Sequence, residues 1–255
     1  MSDEEFVDAF ENEKVIPISS HLKVDSSNIH YVHTDQGKDK LLVFVHGSPG
    51  SWSAFIDFFK NDSLLDQFDM ISVDRSGFGH SDYGRPEKSM QKQAYLLSKV
   101  IGQFTHQEKI MIGHSLGGPV IARLAMDYPE LIQGMVMVAP SIDPEMEKYE
   151  WYRTWVQIKV VRAMTPKDLW VSNEEILPLK EELTSMLPLW KNIQIPTVVI
   201  QGTKDSLVPK ENAEFASKML SDSLVTINYL EGGNHFIPWS HPEEIVKGVF
   251  LLTEK

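Results

Sequence analysis

The strongest constraint this sequence places on its own fold is a rhythm. Short apolar runs recur at residues 41–45, 70–73, 109–112, 134–139, 196–200 and 224–230. Segments with helical spacing lie among them, at 52–60, 89–105, 116–128, 210–220 and 242–253. A run such as Leu41-Leu42-Val43-Phe44-Val45 has no polar face, so it fits a strand covered on both sides. Strand–helix alternation of this kind builds a mostly parallel sheet between two helical layers. Two further strand-like runs, 14–24 and 28–34, precede the repeat. Asp25-Ser26-Ser27-Asn28 between them reads as a hairpin turn, and a short acidic helix is expected at 4–12. The chain of 255 residues is long enough to carry this architecture as one domain, and no internal repeat interrupts it.

Composition removes several classes of function. With no cysteine there is no disulfide scaffold, no thiolate nucleophile and no cysteine-ligated metal. A formal charge of −12 argues against nucleic acid or an anionic membrane as a main partner, because no basic surplus exists to neutralise phosphates. No apolar run reaches the roughly 18 residues of a spanning helix. Met1–Phe6 is acidic where a leader would be basic. The expectation is a soluble, cytoplasmic protein with no membrane and no nucleic-acid partner.

One stretch breaks the rhythm. Between Asp143 and Ile195 there is no strand-like run, but Trp151, Trp155, Trp170 and Trp190 fall there with Tyr149, Tyr152, Met146 and Met164. This reads as a helical insertion over the C-terminal edge of the sheet, where open α/β sheets place ligands. Trp151 and Trp155 are then expected to face substrate, together with Phe236. The alternative is a set of amphipathic helices that merely extend the core.

Gly113-His114-Ser115-Leu116-Gly117 follows one strand run and precedes a helical pattern. That context is a nucleophile elbow, in which Ser115 sits on a strained turn with its hydroxyl above the sheet. A serine needs a base, and the base an orienting acid. Gly202-Thr203-Lys204-Asp205 and Gly232-Gly233-Asn234-His235 each follow a strand run, which brings Asp205 and His235 to the same sheet edge. Asp143, at the end of another strand, is the rival for the acid. His46 and His114 flank the site as hydrogen-bonded neighbours rather than as the base. His21, His30, His33, His80, His106 and His241 read as solvated or satisfied polar residues. Oxyanion donors are expected from the N–H of Leu116 and from Ser48, through its backbone and its hydroxyl, since Pro49 has no N–H. No His/Asp/Glu spacing suggests a metal, and no cofactor is called for.

These residues resemble the α/β-hydrolase family, in its cap-bearing serine hydrolase branch of esterases and lipase-like enzymes. The resemblance runs from about residue 28 to 253. It rests on His46-Gly47-Ser48-Pro49-Gly50, Asp74-Arg75-Ser76-Gly77-Phe78-Gly79-His80-Ser81, Gly113–Gly117 with Gly118, and the Asp205 and His235 turns. It implies an eight-stranded, mostly parallel sheet flanked by helices, with a small helical cap at about 144–194 inserted after the sixth strand into a core of 1–143 and 195–255. It also implies that Asp74 and Arg75 organise loops rather than react. Branches that act on haloalkanes and epoxides carry aspartate at the elbow, so Ser115 argues against both. The expected activity is cleavage of a small-to-medium hydrophobic carboxylic ester through a Ser115 acyl-enzyme. The alternatives are a carbon–carbon bond hydrolase, an acyltransferase or perhydrolase on the same triad, and a non-catalytic ligand-binding module.

Overall fold

The computed structural model describes residues 1, 3–147 and 151–253; Tyr149, named above, lies outside them. Eight strands form one sheet: β1 (Ile18–Val24), β2 (Ser27–His33), β3 (Lys40–Val45), β4 (Phe68–Val73), β5 (Glu108–His114), β6 (Gly134–Val138), β7 (Thr197–Gly202) and β8 (Val225–Leu230). Their spatial order is β1-β2-β4-β3-β5-β6-β7-β8. β1 and β2 pair antiparallel, as do β2 and β4, and every later neighbour is parallel. The hairpin closes with Val24 opposite Ser27, and Asp25 takes a positive φ of 55°. Ten helices accompany the strands among the described residues: α1 (Asp3–Phe10), α2 (Asp62–Leu65), α3 (Met90–Ile101), α4 (Gly117–Asp127), α5 (Lys159–Met164), α6 (Lys167–Ile176), α7 (Leu179–Met186), α8 (Glu211–Met219), α9 (Ile237–Ser240) and α10 (Pro242–Thr253).

The two-residue period of a strand explains why β3 is apolar throughout. Leu41, Val43 and Val45 pack on the α3–α4 side, among Val100, Val120 and Leu124. Leu42 and Phe44 point the other way, onto Phe55, Phe58, Ile245 and Val249. Both faces are therefore dry, and truncating a fully buried ring such as Phe44 to alanine should cost about 3–5 kcal/mol.

Between β6 and β7 the chain leaves the sheet for α5, α6, α7 and two 3-10 segments, Trp151–Gln157 and Leu187–Asn192. The two halves of this insertion pack differently. Leu179, Leu183, Met186 and Trp190 join the main core, and Trp170 and Val171 cover Phe78. α5 buries none of its residues. No helix among the described residues is long and apolar enough to cross a membrane.

Candidate active site

The site is assembled at the C-terminal ends of β3, β5, β7 and β8. Ser115 stands between β5 and α4 with φ 53°, a left-handed conformation that costs a non-glycine residue on the order of 1–3 kcal/mol and persists only where its surroundings enforce it. The enforcement is visible. Ser115 N–H donates to Val138 O (2.9 Å), and its carbonyl accepts from Gly118 (2.9 Å) and Ser141 (3.3 Å). The turn can be this tight because of Gly117, where a Cβ would lie 2.2 Å from Val45 O.

The turns after β7 and β8 meet backbone to backbone. A Cβ on Gly202 would lie 2.4 Å from Gly233 O, and Lys204 N–H donates to that same carbonyl at 2.9 Å. This close approach lets Asp205 Oδ2 bond His235 Nδ1 at 2.8 Å. The other oxygen, Oδ1, accepts from the N–H groups of Leu207 (2.9 Å) and Val208 (2.8 Å), which fixes the carboxylate plane. Asp143 accepts instead from Glu145 N–H and takes no part in this pair.

His46 and His114 are both buried and neutral near pH 7. Burial, with help from the Arg75 charge, pulls His46 down to about 3; burial and the neighbouring His235 pull His114 down to about 4. Each is committed to the backbone. His46 Nε2 accepts from Arg75 N–H (3.0 Å), and His114 Nε2 donates to His235 O (3.0 Å).

Ser48 and Leu116 line the same cavity as Ser115 and His235, a space of about 440 Å³. Among the described residues no acceptor engages either backbone N–H, and Leu116 precedes α4, whose N-terminus adds positive potential. The Ser48 hydroxyl is otherwise occupied: it donates to Glu175 Oε2 at 2.9 Å. Glu175 reaches in from α6 and accepts both ends of the Arg75 guanidinium (2.7 and 3.1 Å) and Gln93 Nε2 (3.1 Å). Burial pushes its carboxyl above the ordinary value, with Arg75 and the hydrogen bonds pulling the other way. Arg75 also donates to the carbonyls of His46 and Gly47 (both 2.9 Å), so one guanidinium ties the turn after β3 to the insertion.

A family model described as alpha/beta hydrolase fold matches residues 40–163. The crystal structure of E-2-(acetamidomethylene)succinate hydrolase superposes with a TM-score of 0.72 at 20% identity, over 94% of this chain and all of that one (100%). The chain has the α/β-hydrolase fold. Among curated relatives, epoxide hydrolase 1 of Caenorhabditis elegans is 21% identical over 93% of this chain and 70% of that protein. The 2-(acetamidomethylene)succinate hydrolase of Mesorhizobium japonicum is 23% identical, over 89% and 92%. Two more relatives, at 31% and 33% identity, align over about half of this chain and less than half of their own length.

The structure gathers Ser115, His235, Ser48 and Leu116 around one cavity, with Asp205 behind the imidazole. It does not bring the expected aromatic residues there. Trp151 and Trp155 are 63% and 58% exposed, Phe236 is 54% exposed, and none of the three lines the cavity. The reason is directional. Trp170 and Trp190 turn inward and become core, whereas the segment carrying Trp151 and Trp155 lies on the outside of the insertion. Phe236 stacks edge-on to the His235 ring and contacts Trp239. The wall is instead mixed: Met146, Ile176, Leu179 and Leu207 are apolar, and Ser141, Glu147 and Arg153 are polar. The Ser48 hydroxyl, expected as an oxyanion donor, faces Glu175. Glu175 itself went unnoticed in the sequence, where the Glu174-Glu175 pair looks like any solvated helix face.

Proposed function

We propose that this protein is a serine hydrolase that cleaves a carboxylic ester through a Ser115 acyl-enzyme. The observation that carries the reading is Ser115 at φ 53° ahead of α4, on the same cavity as a His235 held by Asp205. In the first step Ser115 Oγ bonds to the carbonyl carbon while its proton passes to His235 Nε2. Asp205 keeps the imidazole proton on Nδ1, which leaves Nε2 free to accept. The negative charge formed on the carbonyl oxygen is met by the N–H groups of Ser48 and Leu116, each worth roughly 3 kcal/mol of barrier. The bond to the leaving alcohol breaks as that oxygen takes the proton from Nε2. Water then attacks the acyl carbon, gives its proton to Nε2, and the acid departs as Ser115 recovers its own.

The cavity volume suits a small-to-medium acyl group. Met146, Ile176, Leu179 and Leu207 offer it apolar contact, which supports an uncharged substrate. The polar wall of Ser141, Glu147 and Arg153 favours a second reading, in which the same serine acts on a substrate with a polar end. The relative named as a 2-(acetamidomethylene)succinate hydrolase is consistent with that version.

The test is intact-mass analysis after exposure to a fluorophosphonate. One adduct is expected on the parent, none on Ser115→Ala, and slow labelling of His235→Ala. A panel of neutral and acidic esters, with and without added alcohol, then separates the two substrate readings and hydrolysis from acyl transfer. A well-folded parent that takes no label is a ligand-binding protein instead.

A further inference from the structure

The outer half of the insertion is built unlike the rest of the surface. Val160 and Met164 are 70% and 82% exposed, and Trp151, Trp155, Ile158 and Leu169 stand out beside them. A soluble protein rarely leaves so many large apolar side chains together in water without a use for them. Charge is segregated onto the same segment. Residues 151–169 hold Arg153, Lys159, Arg162 and Lys167 against one acid, Asp168, in a chain whose total is −12.

The cations also converge. Lys159, Arg162 and Lys167 meet Arg85 around a surface cavity of about 570 Å³ that Tyr83 and Trp170 help to line, with no acidic side chain among its described lining residues. The Arg162 guanidinium lies 4.0 Å from the Trp170 ring centre and the Lys167 ammonium 5.2 Å from that of Tyr83. Asp168, the one acid of residues 151–169, accepts from Tyr83 Oη at 3.3 Å. Among the described residues Arg85, Lys159, Arg162 and Lys167 make no ion pair with a carboxylate.

We propose that residues 151–169 dock on an anionic phospholipid surface. Trp151, Trp155, Val160 and Met164 enter the boundary between headgroups and acyl chains, and the cavity ringed by Arg85, Lys159, Arg162 and Lys167 takes lipid phosphates. A short helix that buries none of its side chains in the protein suits a seat in that boundary, and tryptophans are enriched there. The net charge of −12 does not prevent this. At physiological salt a charge acts over about 8 Å, so the membrane meets the local cations and not the total. Because Arg153 also lines the cavity containing Ser115, the docked orientation turns that cavity toward lipid. Binding itself does not depend on the reading of Ser115.

The test is co-sedimentation with vesicles of phosphatidylcholine alone and of equal parts phosphatidylcholine and phosphatidylglycerol. The parent is expected to favour the anionic vesicles about tenfold or more at low salt, and to lose that preference as salt rises. Lys159→Gln/Lys167→Gln should lower affinity for the anionic vesicles about thirtyfold, from roughly fivefold per cation near the surface. Val160→Ser/Met164→Ser should weaken binding to both. Quenching of parent tryptophan fluorescence by brominated lipid gives a readout that needs no variant. A parent that ignores anionic vesicles at low salt, double variants that fold and bind like the parent, or unquenched tryptophan each overturn the proposal. So does a dimer of the parent that Val160→Ser/Met164→Ser turns into a monomer, since the face would then belong to a second copy.

Discussion

Two regions of the molecule hold a serine, a histidine and an aspartate, and only in one of them does the serine sit on a left-handed turn beside a cavity. On the outer strands, Ser19 Oγ and His30 Nε2 are 2.9 Å apart, and His30 Nδ1 meets Asp74 Oδ2 at 2.7 Å. At the sheet edge, His235 and Asp205 make the same contact at 2.8 Å. By residue type and by the His–Asp distance the two are alike. Ser19, however, is an exposed residue in the regular register of an edge strand, opposite Val32. Ser115 is on a left-handed turn against a helix N-terminus and shares a cavity with Ser48 and Leu116. Asp74 differs from Asp205 as well. It accepts from Trp52 and His80 N–H besides His30, and although burial works against ionisation, these hydrogen bonds hold its carboxyl below the ordinary value. Asp74 is a structural tie that happens to include a histidine. A His–Asp pair near a serine is thus not distinctive by itself; the left-handed turn and the cavity are what set Ser115 apart from a serine on a regular strand, and they are what support its proposed role.

The comparison breaks first at the serines. Ser115→Ala should lose all fluorophosphonate labelling and at least about 10⁴-fold in turnover, while Ser19→Ala stays within twofold of the parent. A label recovered on Ser19 would erase the distinction. The acids sharpen it next. Asp205→Asn should lower kcat by about 10⁴-fold with little change in a urea melt. Asp74→Asn should do the reverse, costing about 3 kcal/mol of stability while the folded fraction keeps its kcat within several-fold. A smaller effect is expected at Glu175→Gln, which leaves the buried Arg75 charge unbalanced. About 3 kcal/mol should go from stability, and kcat should fall about tenfold with KM nearly unchanged as Ser48 shifts.

The smallest effect concerns the two buried histidines that flank the Ser115 site. His46 and His114 titrate near 3 and 4 in the folded protein but near 6.5 when unfolded, so between those values the unfolded chain binds more protons. Stability should therefore fall as pH drops from about 6.5 toward 4, by up to roughly 1.4 kcal/mol per pH unit for each group. Glu175, raised by burial, pushes in the opposite direction over its own range. The clean measurement is the difference between the parent and His114→Gln in urea melts across that range, with the variant showing the shallower slope. Equal slopes would show that His114 is not buried neutral.

Much of this architecture was readable before any coordinates. The runs at 41–45, 109–112 and 196–200 are apolar at every position, because both faces of their strands are covered, and each observed strand lies within two residues of them. Ser115, Asp205 and His235 could be located because each sits in a glycine-bearing turn directly after a strand, where local chemistry and position agree. Glu175 could not. Its partner Arg75 is 100 residues away, and a glutamate in a polar helix looks the same whether it faces water or a guanidinium. The tryptophans fail for a related reason. In a 3-10 turn of seven residues followed by a helix of six, no sustained period fixes which side faces the protein, so Trp151 and Trp155 carried no directional information. In the sequence His30 reads as a satisfied polar residue, and its place between Ser19 and Asp74 exists only in three dimensions.

The carboxylate of Glu175 has a bearing on traffic. It belongs to α6, while Ser48 and Arg75 belong to the turns that follow β3 and β4, so these pieces move as one body or not at all. Swinging α6 aside as a flap would strand a guanidinium and a carboxylate in a dry interior, a cost of several kcal/mol with nothing to offset it. α6 is therefore a doorpost rather than a door. The opening has to lie elsewhere on the wall, and Ser206 and Leu207, after β7, are its exposed residues. A molecule bound for Ser115 thus has its point of entry set by an ion pair elsewhere in the site.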